Sequence, residues 1–337
     1  MNYTARYFIV WVAYNEEKTL EKSFLAAKKS IDYYYKKSNK KSQTNIIICR
    51  NGCTDKTREV AQKIKENYEN NYININILSS RKGMVIAQNT CVKHIRERMD
   101  SANKPIIFID ADSFVDEKMI YLLLGQLNKH SDLKAIGARP VPISYQGRSP
   151  LKKFWDKILN CRAYFPKAEI AVVRAPEFHP YAESDPQSLG PEFEKKSKIY
   201  FHGRCFALRD QSIWDVPNNQ IGEDTYLDRS IHYRFGPGSI RNLYDAKIYY
   251  QPITSLRVFT KTFFRIYQDL KCLKKVKPQY RQIREYSKTM LDWRYINTLS
   301  LKWRLFFGIY YLTRQFFHFL FKHNLIYAKK SALDIWS

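Results

Sequence analysis

Acidic residues are the scarce charge in this chain. Its 337 residues hold 32 Asp and Glu against 57 Lys and Arg, a formal net charge of +25. Such an imbalance favours anionic partners: a nucleotide, an acidic membrane surface or nucleic acid. A solvated lysine-rich surface accounts equally well for the Lys clusters taken alone. Cysteines are few and scattered, at 49, 53, 91, 161, 205 and 272, with no C-x-x-C pair. That excludes zinc ribbons and disulfide frameworks and leads us to expect reduced thiols in a cytosolic protein. The opening MNYTARYFIVWVAYNEE has no long apolar stretch ending in small residues, which argues against a signal peptide. No RNA- or DNA-binding signature accompanies the 25 tyrosines, so a nucleic-acid partner is not expected, and a basic nucleic-acid-binding protein stays only as an alternative. The other alternative, a nucleotidyltransferase making a sugar nucleotide, lacks its usual glycine-rich loop with a basic residue near the amino terminus, since AYNEEKT is not one.

What is present begins with a core. Apolar residues make up 45% of the chain, enough for one large α/β domain with an appendage, or for two domains. The first 140 residues alternate. YFIVWVA (7–13) suits a buried strand, and Leu20, Phe24, Ala27, Ile31 and Tyr34 then recur at helical spacing. NIIIC (45–49) is a second strand, followed by a helix capped by Thr54 or Asp55 and carrying Val60, Ile64 and Tyr68. In the 71–78 region Ile alternates with Asn, a strand with one wet face near a sheet edge. Residues 84–99 read as helix, and IIFI after Pro105 as a fourth strand. This order predicts a mostly parallel sheet covered by helices. Further on we expect an amphipathic helix over 149–165, a long loop over 174–193, a strand over 198–209, a loop entering a helix over 222–235 and a strand over 246–252. A boundary near 250 separates a catalytic domain (1–250) from a basic, aromatic-rich helical tail (251–337).

In such sheets ligands bind beyond the carboxyl ends of the strands. Polar clusters follow each of the four strands there: Tyr14-Asn15-Glu16, Asn51 to Asp55, Arg81-Lys82-Gly83 and Asp110-Ala111-Asp112. Two carboxylates one residue apart at a strand end repel unless a cation joins them, and Mg2+ or Mn2+ shared with a diphosphate is the natural one. Capping of a helix beginning near Asp116 by Asp112 or Ser113 is the alternative. NGCTDKT (51–57) reads either as a turn with a helix cap or as a carboxylate against a nucleobase edge. Arg81 and Lys82, at a strand–helix junction, suit either a phosphate or open solvent.

The ordered set VAYNEE, NGCTDKT, KGMVIAQN, IDADS and GEDTYL resembles family 2 glycosyltransferases with a GT-A fold, over roughly residues 7–270. The resemblance implies inverting transfer of a sugar from a nucleotide-diphosphate donor, aided by a divalent metal, Mn2+ or Mg2+. It assigns Asn15 and Glu16 to the nucleotide pocket, Asp55 to the base, and Arg81 or Lys82 to base or diphosphate. Asp110 becomes the ribose- or metal-facing acid and Asp112 the metal ligand. Gly203, Arg204 and Glu223 fall on the acceptor side, with Asp224, the second acid of its pair, as catalytic base. Many members have two acids where this chain has Arg50-Asn51. The Gln-x-x-Arg-Trp sequence of processive synthases is not intact, which argues against processive polymerisation and leaves Arg265 as a diphosphate candidate.

The tail contains WRLFFGIYYLTRQFFHFLFK (303–322). At about 100° per residue, Arg304, Gly308, Tyr311, Arg314, Gln315, His318 and Lys322 share one face and apolar side chains cover most of the rest. Its internal arginines oppose a spanning helix, because each costs about 2.5–3.5 kcal/mol at the bilayer centre on insertion scales. An interfacial helix on an anionic membrane, or a helix packed on the domain, is expected instead. The readings together place the protein at the inner face of the cell membrane, acting on a saccharide or lipid-linked acceptor in envelope polysaccharide or glycolipid synthesis.

Overall fold

The computed structural model describes residues 5–38, 43–98, 104–143, 149–173, 202–276, 287–323 and 325–326. The loop expected over 174–193 and the first part of the strand expected over 198–209 lie outside them. The chain divides into two compact units, one of residues 1–140 and 175–250 and the other of residues 141–174 and 251–337.

The first unit is built on an eight-stranded sheet. Its amino-terminal part alternates β1 (Ala5–Ala13), α1 (Leu20–Ser38), β2 (Gln43–Asn51), α2 (Thr57–Tyr68), β3 (Ile73–Ser80), α3 (Met84–Arg98) and β4 (Ile106–Asp110). It continues with β5 (Ser113–Val115), α4 (Met119–Lys129) and β6 (Ala135–Pro142). The strand order across the sheet places β3, β2, β1 and β4 side by side, and the pairings among them are parallel. Residues 7–13 of β1 are buried throughout, as a strand covered by helices on both faces requires. The helical stripe Leu20, Phe24, Ala27, Ile31 and Tyr34 is the buried face of α1. β3 ends the sheet, and its Ile73 and Ile75 point inward between Asn residues, as the alternation predicts.

Beyond β4 the sheet turns antiparallel. β8 (Cys205–Leu208) pairs antiparallel with both β4 and β6, and β5 pairs antiparallel with β9 (Ile240–Tyr250). (β7, Glu169–Val173, belongs to the second unit.) This mixed sheet, with the parallel strands at one side, is the expected GT-A α/β architecture. β5 was not anticipated: three residues carry too little periodicity to read. It displaces the helix start from the expected neighbourhood of Asp116 to Met119, with Asp116 Oδ1 accepting the Lys118 N–H at 3.1 Å.

The second unit holds α5 (Pro150–Leu159), α6 (Cys161–Tyr164) and β7 (Glu169–Val173). The helix expected over 149–165 is thus two helices, broken at Asn160. There the side-chain amide donates to the Ile253 carbonyl at 2.8 Å and its oxygen accepts the Ile253 N–H at 3.2 Å. β10 (Ser287–Leu291) pairs antiparallel with β7. α8 (Leu256–Val276), α9 (Trp293–Ile296) and α10 (Leu301–Lys322) complete the unit, whose core includes Ile158, Cys161, Phe259, Ile296, Phe306, Phe307 and Tyr310. Residues 141–174, assigned from sequence to the catalytic domain, fall in this unit with the tail. Among the described residues no helix is long and apolar enough to cross a membrane.

Candidate functional site

The carboxyl ends of β1, β2 and β3 all turn through backbone with positive φ. Asn15 (φ 56°) follows β1, Gly52 (φ 65°) follows β2 and Gly83 (φ 143°) follows β3. Glycine meets that demand without strain, and asparagine does so at modest cost. Asn15 is fixed there because its Oδ1 accepts the Thr54 N–H at 2.9 Å, tying the first loop to the second. Asn51 ties the second to the third, its Oδ1 accepting the Gly83 N–H at 2.6 Å. Lys82 Nζ sits 4.7 Å from the centre of the Tyr14 ring, a cation–π contact that holds its charge at this edge. Arg81 is exposed.

Asp55 is the hub of the first two loops. Its Oδ2 accepts the Glu17 N–H at 3.1 Å, and its Oδ1 accepts the Thr57 N–H at 3.1 Å and the Thr57 hydroxyl at 2.5 Å. Burial pushes its carboxyl up, but these hydrogen bonds outweigh that and hold it below the usual carboxylate range. The turn-and-cap reading therefore applies to Asp55 in part: it serves the start of α2 through Thr57. Glu16 behaves oppositely. Burial raises its carboxyl to about 7; the Thr19 hydroxyl bond works against that, and the charges of Asp112 and Asp55 add to it.

Asp110 ends β4, and its N–H donates to the Arg204 carbonyl at 2.9 Å. Asp112 follows, with Oδ1 accepting from the Ser113 hydroxyl at 3.1 Å and lying 3.4 Å from Arg204 Nη1. The Arg204 guanidinium rests 4.1 Å above the Tyr250 ring. The bonds made by Asp112 and Ser113 are not those of a helix cap, because β5 intervenes and Asp116 serves the turn before α4.

The second acidic pair opens α7 (Glu223–Phe235). Glu223 is buried while Asp224 is partly exposed. Asp224 Oδ2 accepts the Gly203 N–H at 3.2 Å and its Oδ1 the Thr225 N–H at 2.7 Å. A Cβ on Gly203 would stand 3.0 Å from Asp224 Oδ2 and 3.3 Å from Glu223 Oε1, so this glycine lets the backbone lie against both acids. Burial first, then the charges of Asp224 and Asp110, raise the Glu223 carboxyl to about 8; the Gln88 side chain, hydrogen-bonded to it, pulls the other way. Burial thus favours the neutral form of Glu223. Gln88 lies within the KGMVIAQN stretch, yet nothing in its helical position separates it from a core residue until its partner is seen.

Metal fit follows from the donor set. Asp110 and Asp112 supply hard carboxylate oxygens from one turn, and the Asp112 side chain is 41% exposed. Among the described residues no three His, Cys, Asp or Glu side chains converge on one point. The two carboxylates would suit a hard divalent ion that draws its other ligands from outside the protein, rather than one held in a closed protein cage. Arg265 lies in α8, within the second unit.

The sequence profile of the family described as "Glycosyl transferase family 2" matches residues 8–216. The chain belongs to this family. Both alternatives, the nucleotidyltransferase and the nucleic-acid binder, give way to that membership. A curated relative, a poly-beta-1,6-N-acetyl-D-glucosamine synthase of Staphylococcus epidermidis, is 22% identical over 242 residues, which is 71% of this chain and 46% of the relative. This family 2 chain thus spans about half the length of that relative. Among solved structures, a mannosyltransferase of Pyrobaculum calidifontis in complex with GDP-Man and Mn2+ superposes with a TM-score of 0.50 at 14% identity, covering 82% of this chain and 65% of that one. A glucosyl-3-phosphoglycerate synthase of Mycobacterium tuberculosis in complex with Mg2+ and uridine-diphosphate gives a TM-score of 0.45 at 15% identity, covering 81% of this chain and 79% of that one.

Proposed function

We propose that this family 2 protein is a non-processive, inverting glycosyltransferase that moves a sugar from a nucleotide-diphosphate donor to an acceptor hydroxyl. One observation carries the reading. Acids from separate segments meet at one sheet edge: Asp110 and Asp112 after β4, and Glu223 with Asp224 at the start of α7, joined through the 203–204 backbone. Asn15, Glu16, Asp55, Arg81 and Lys82 form the donor side. Hydrogen bonds from Glu17 and Thr57 fix the Asp55 carboxylate at this edge, where it would face the nucleobase.

Asp110 and Asp112 hold the divalent ion, Mn2+ or Mg2+, and the mannosyltransferase of the same fold, solved with Mn2+ and GDP-Man, supports that choice. The ion supplies charge stabilisation for the departing nucleoside diphosphate. Asp224 takes the proton of the acceptor hydroxyl as the oxygen attacks the anomeric carbon. The bond to the diphosphate oxygen breaks in the same displacement, and the configuration inverts. Burial favours the neutral form of Glu223, and Asp224, the partly exposed member of the pair, is assigned the base role. Gly203 and Arg204 line the acceptor side.

The acceptor in this proposal is a saccharide or lipid-linked glycan of the cell envelope, met at the inner face of the cell membrane. The polysaccharide synthase relative supports a saccharide acceptor. The test is a panel of nucleotide sugars with Mn2+ and an acceptor mixture, read as nucleoside diphosphate released. One donor hydrolysed or transferred in a metal-dependent way confirms the class; no release from any donor refutes it.

A further inference from the structure

α10 has two apolar faces. Phe306, Phe307 and Tyr310 are buried in the core of the second unit, and Phe321 is buried against Phe264 and Tyr267 of α8. Leu301, Leu305, Ile309, Leu312, Phe316 and Phe319 are exposed, Leu301 by 70% and Leu312 by 67%. At 3.6 residues per turn these six lie within an arc of about 80°, on the side opposite the buried face. A polar face would be expected there on a helix that merely caps a domain. The sequence-stripe reading, one cationic face against one apolar face, merges these two surfaces. The structure separates them.

The charges around the exposed stripe are of one sign. Lys302 lies just beyond one edge of it, and Arg304 and Lys322 lie along the other; all three are exposed. No Asp or Glu occurs between Asp292 and Asp334. A second copy of this chain, with its net charge of +25, would bring these cations against their own equivalents. A stripe of Leu and Phe with cationic flanks matches a surface that is apolar below and anionic at its rim.

We propose that the outer stripe of α10 docks on an anionic lipid bilayer, with the helix axis along the membrane plane and the opposite face remaining in the core of its unit. This deepens the membrane-proximal part of the function proposed above and rests on it only for its biological sense; the surface itself is independent of the chemistry. Because α10 is anchored by four buried aromatics, the second unit docks as a whole and α10 does not peel away as an arm.

The test is flotation of the full chain with phosphatidylcholine vesicles, with and without phosphatidylglycerol, at physiological salt. The full chain floats with the anionic vesicles and much less with neutral ones. Leu312→Ser with Phe316→Ser removes two exposed apolar side chains and lowers the partition coefficient by about tenfold or more. Lys302→Gln, Arg304→Gln and Lys322→Gln together abolish the preference for the anionic vesicles. Donor turnover in vesicle-free buffer, unchanged in both variants, keeps this test separate from that of the glycosyl-transfer reading. Absence of flotation, flotation that survives loss of the stripe, or vesicle-free self-association that the Leu312/Phe316 variant abolishes overturns the proposal.

Discussion

Gly203→Ala tests the acidic pair through its backbone support. The added methyl carbon would meet Asp224 Oδ2 at 3.0 Å and Glu223 Oε1 at 3.3 Å. Ordinary contact is about 3.5–4.0 Å, so the Asp224 carboxylate moves by roughly 0.5 Å or more. Misplacing a catalytic group by about 1 Å costs on the order of a hundredfold in rate, so a loss of about tenfold or more in kcat is expected. The bond from the Gly203 N–H to Asp224 weakens with the same shift, while the atoms nearest the new methyl group belong to Asp224 and Glu223 rather than to Asp110 or Asp112. Donor affinity therefore stays near its original value. The assay is steady-state transfer with calorimetric titration of the donor alongside. Gly125→Ala is the control: it sits within α4 and its Cβ would meet nothing within 4 Å, so stability rises by a few tenths to about 1 kcal/mol and kcat is unchanged. Wild-type kcat in Gly203→Ala refutes the role assigned to Asp224.

Asp224→Asn is expected to keep the fold and donor binding while kcat falls by about 10²–10⁴, the range for loss of a general base; steady-state kinetics and donor titration check both. Asp112→Asn raises the Mn2+ concentration needed for half-maximal activity by about tenfold or more. Its melting temperature changes little, because the Asp112–Arg204 pair is 41% and 21% exposed on its two sides and such pairs contribute about 1 kcal/mol or less. Asp228, buried in α7, has its carboxyl raised to about 7 by burial, with Arg229 opposing and Asp224 adding. A raised folded value means the native state holds the proton longer than the unfolded chain, so this residue's contribution to stability is full below about 3.8 and is lost as pH rises through about 7. His232, pushed down to about 4 by burial, contributes in the opposite sense between about 4 and 6.5. Asp228→Asn isolates the first effect: melting curves of variant and wild type diverge in the variant's favour as pH goes from 5 to 8, and parallel curves contradict it.

The parallel half of the sheet was legible because each strand and helix carries its own period, from the all-apolar 7–13 to the stripe Leu20–Tyr34. That the loops carrying Asn15, Asp55, Lys82 and Asp110 lie at one edge was legible for a related reason: in a parallel α/β sheet the loops after the strands fall at the same end. What joins them was hidden. Asn15 reaching Thr54, Asn51 reaching Gly83 and Asp55 reaching Glu17 are contacts between loops, and no local pattern encodes a partner 30 or 40 residues away. The antiparallel half was less legible, since β8 is four residues long and β5 three. Grouping of 141–174 with the tail escaped notice because it depends on Asn160 meeting Ile253, a contact across 93 residues. The two apolar faces of α10 share one sequence stripe, and burial alone tells them apart.

The most direct measurement is thermal stabilisation by the donor that the nucleotide-sugar panel identifies, recorded with Mn2+ and again with excess chelator. If Asp110 and Asp112 join the protein to the donor diphosphate through a divalent ion, a hundredfold excess of donor over its dissociation constant stabilises the fold by about 2.7 kcal/mol with Mn2+, and the chelator removes most of that shift. Equal stabilisation in both conditions would contradict the account.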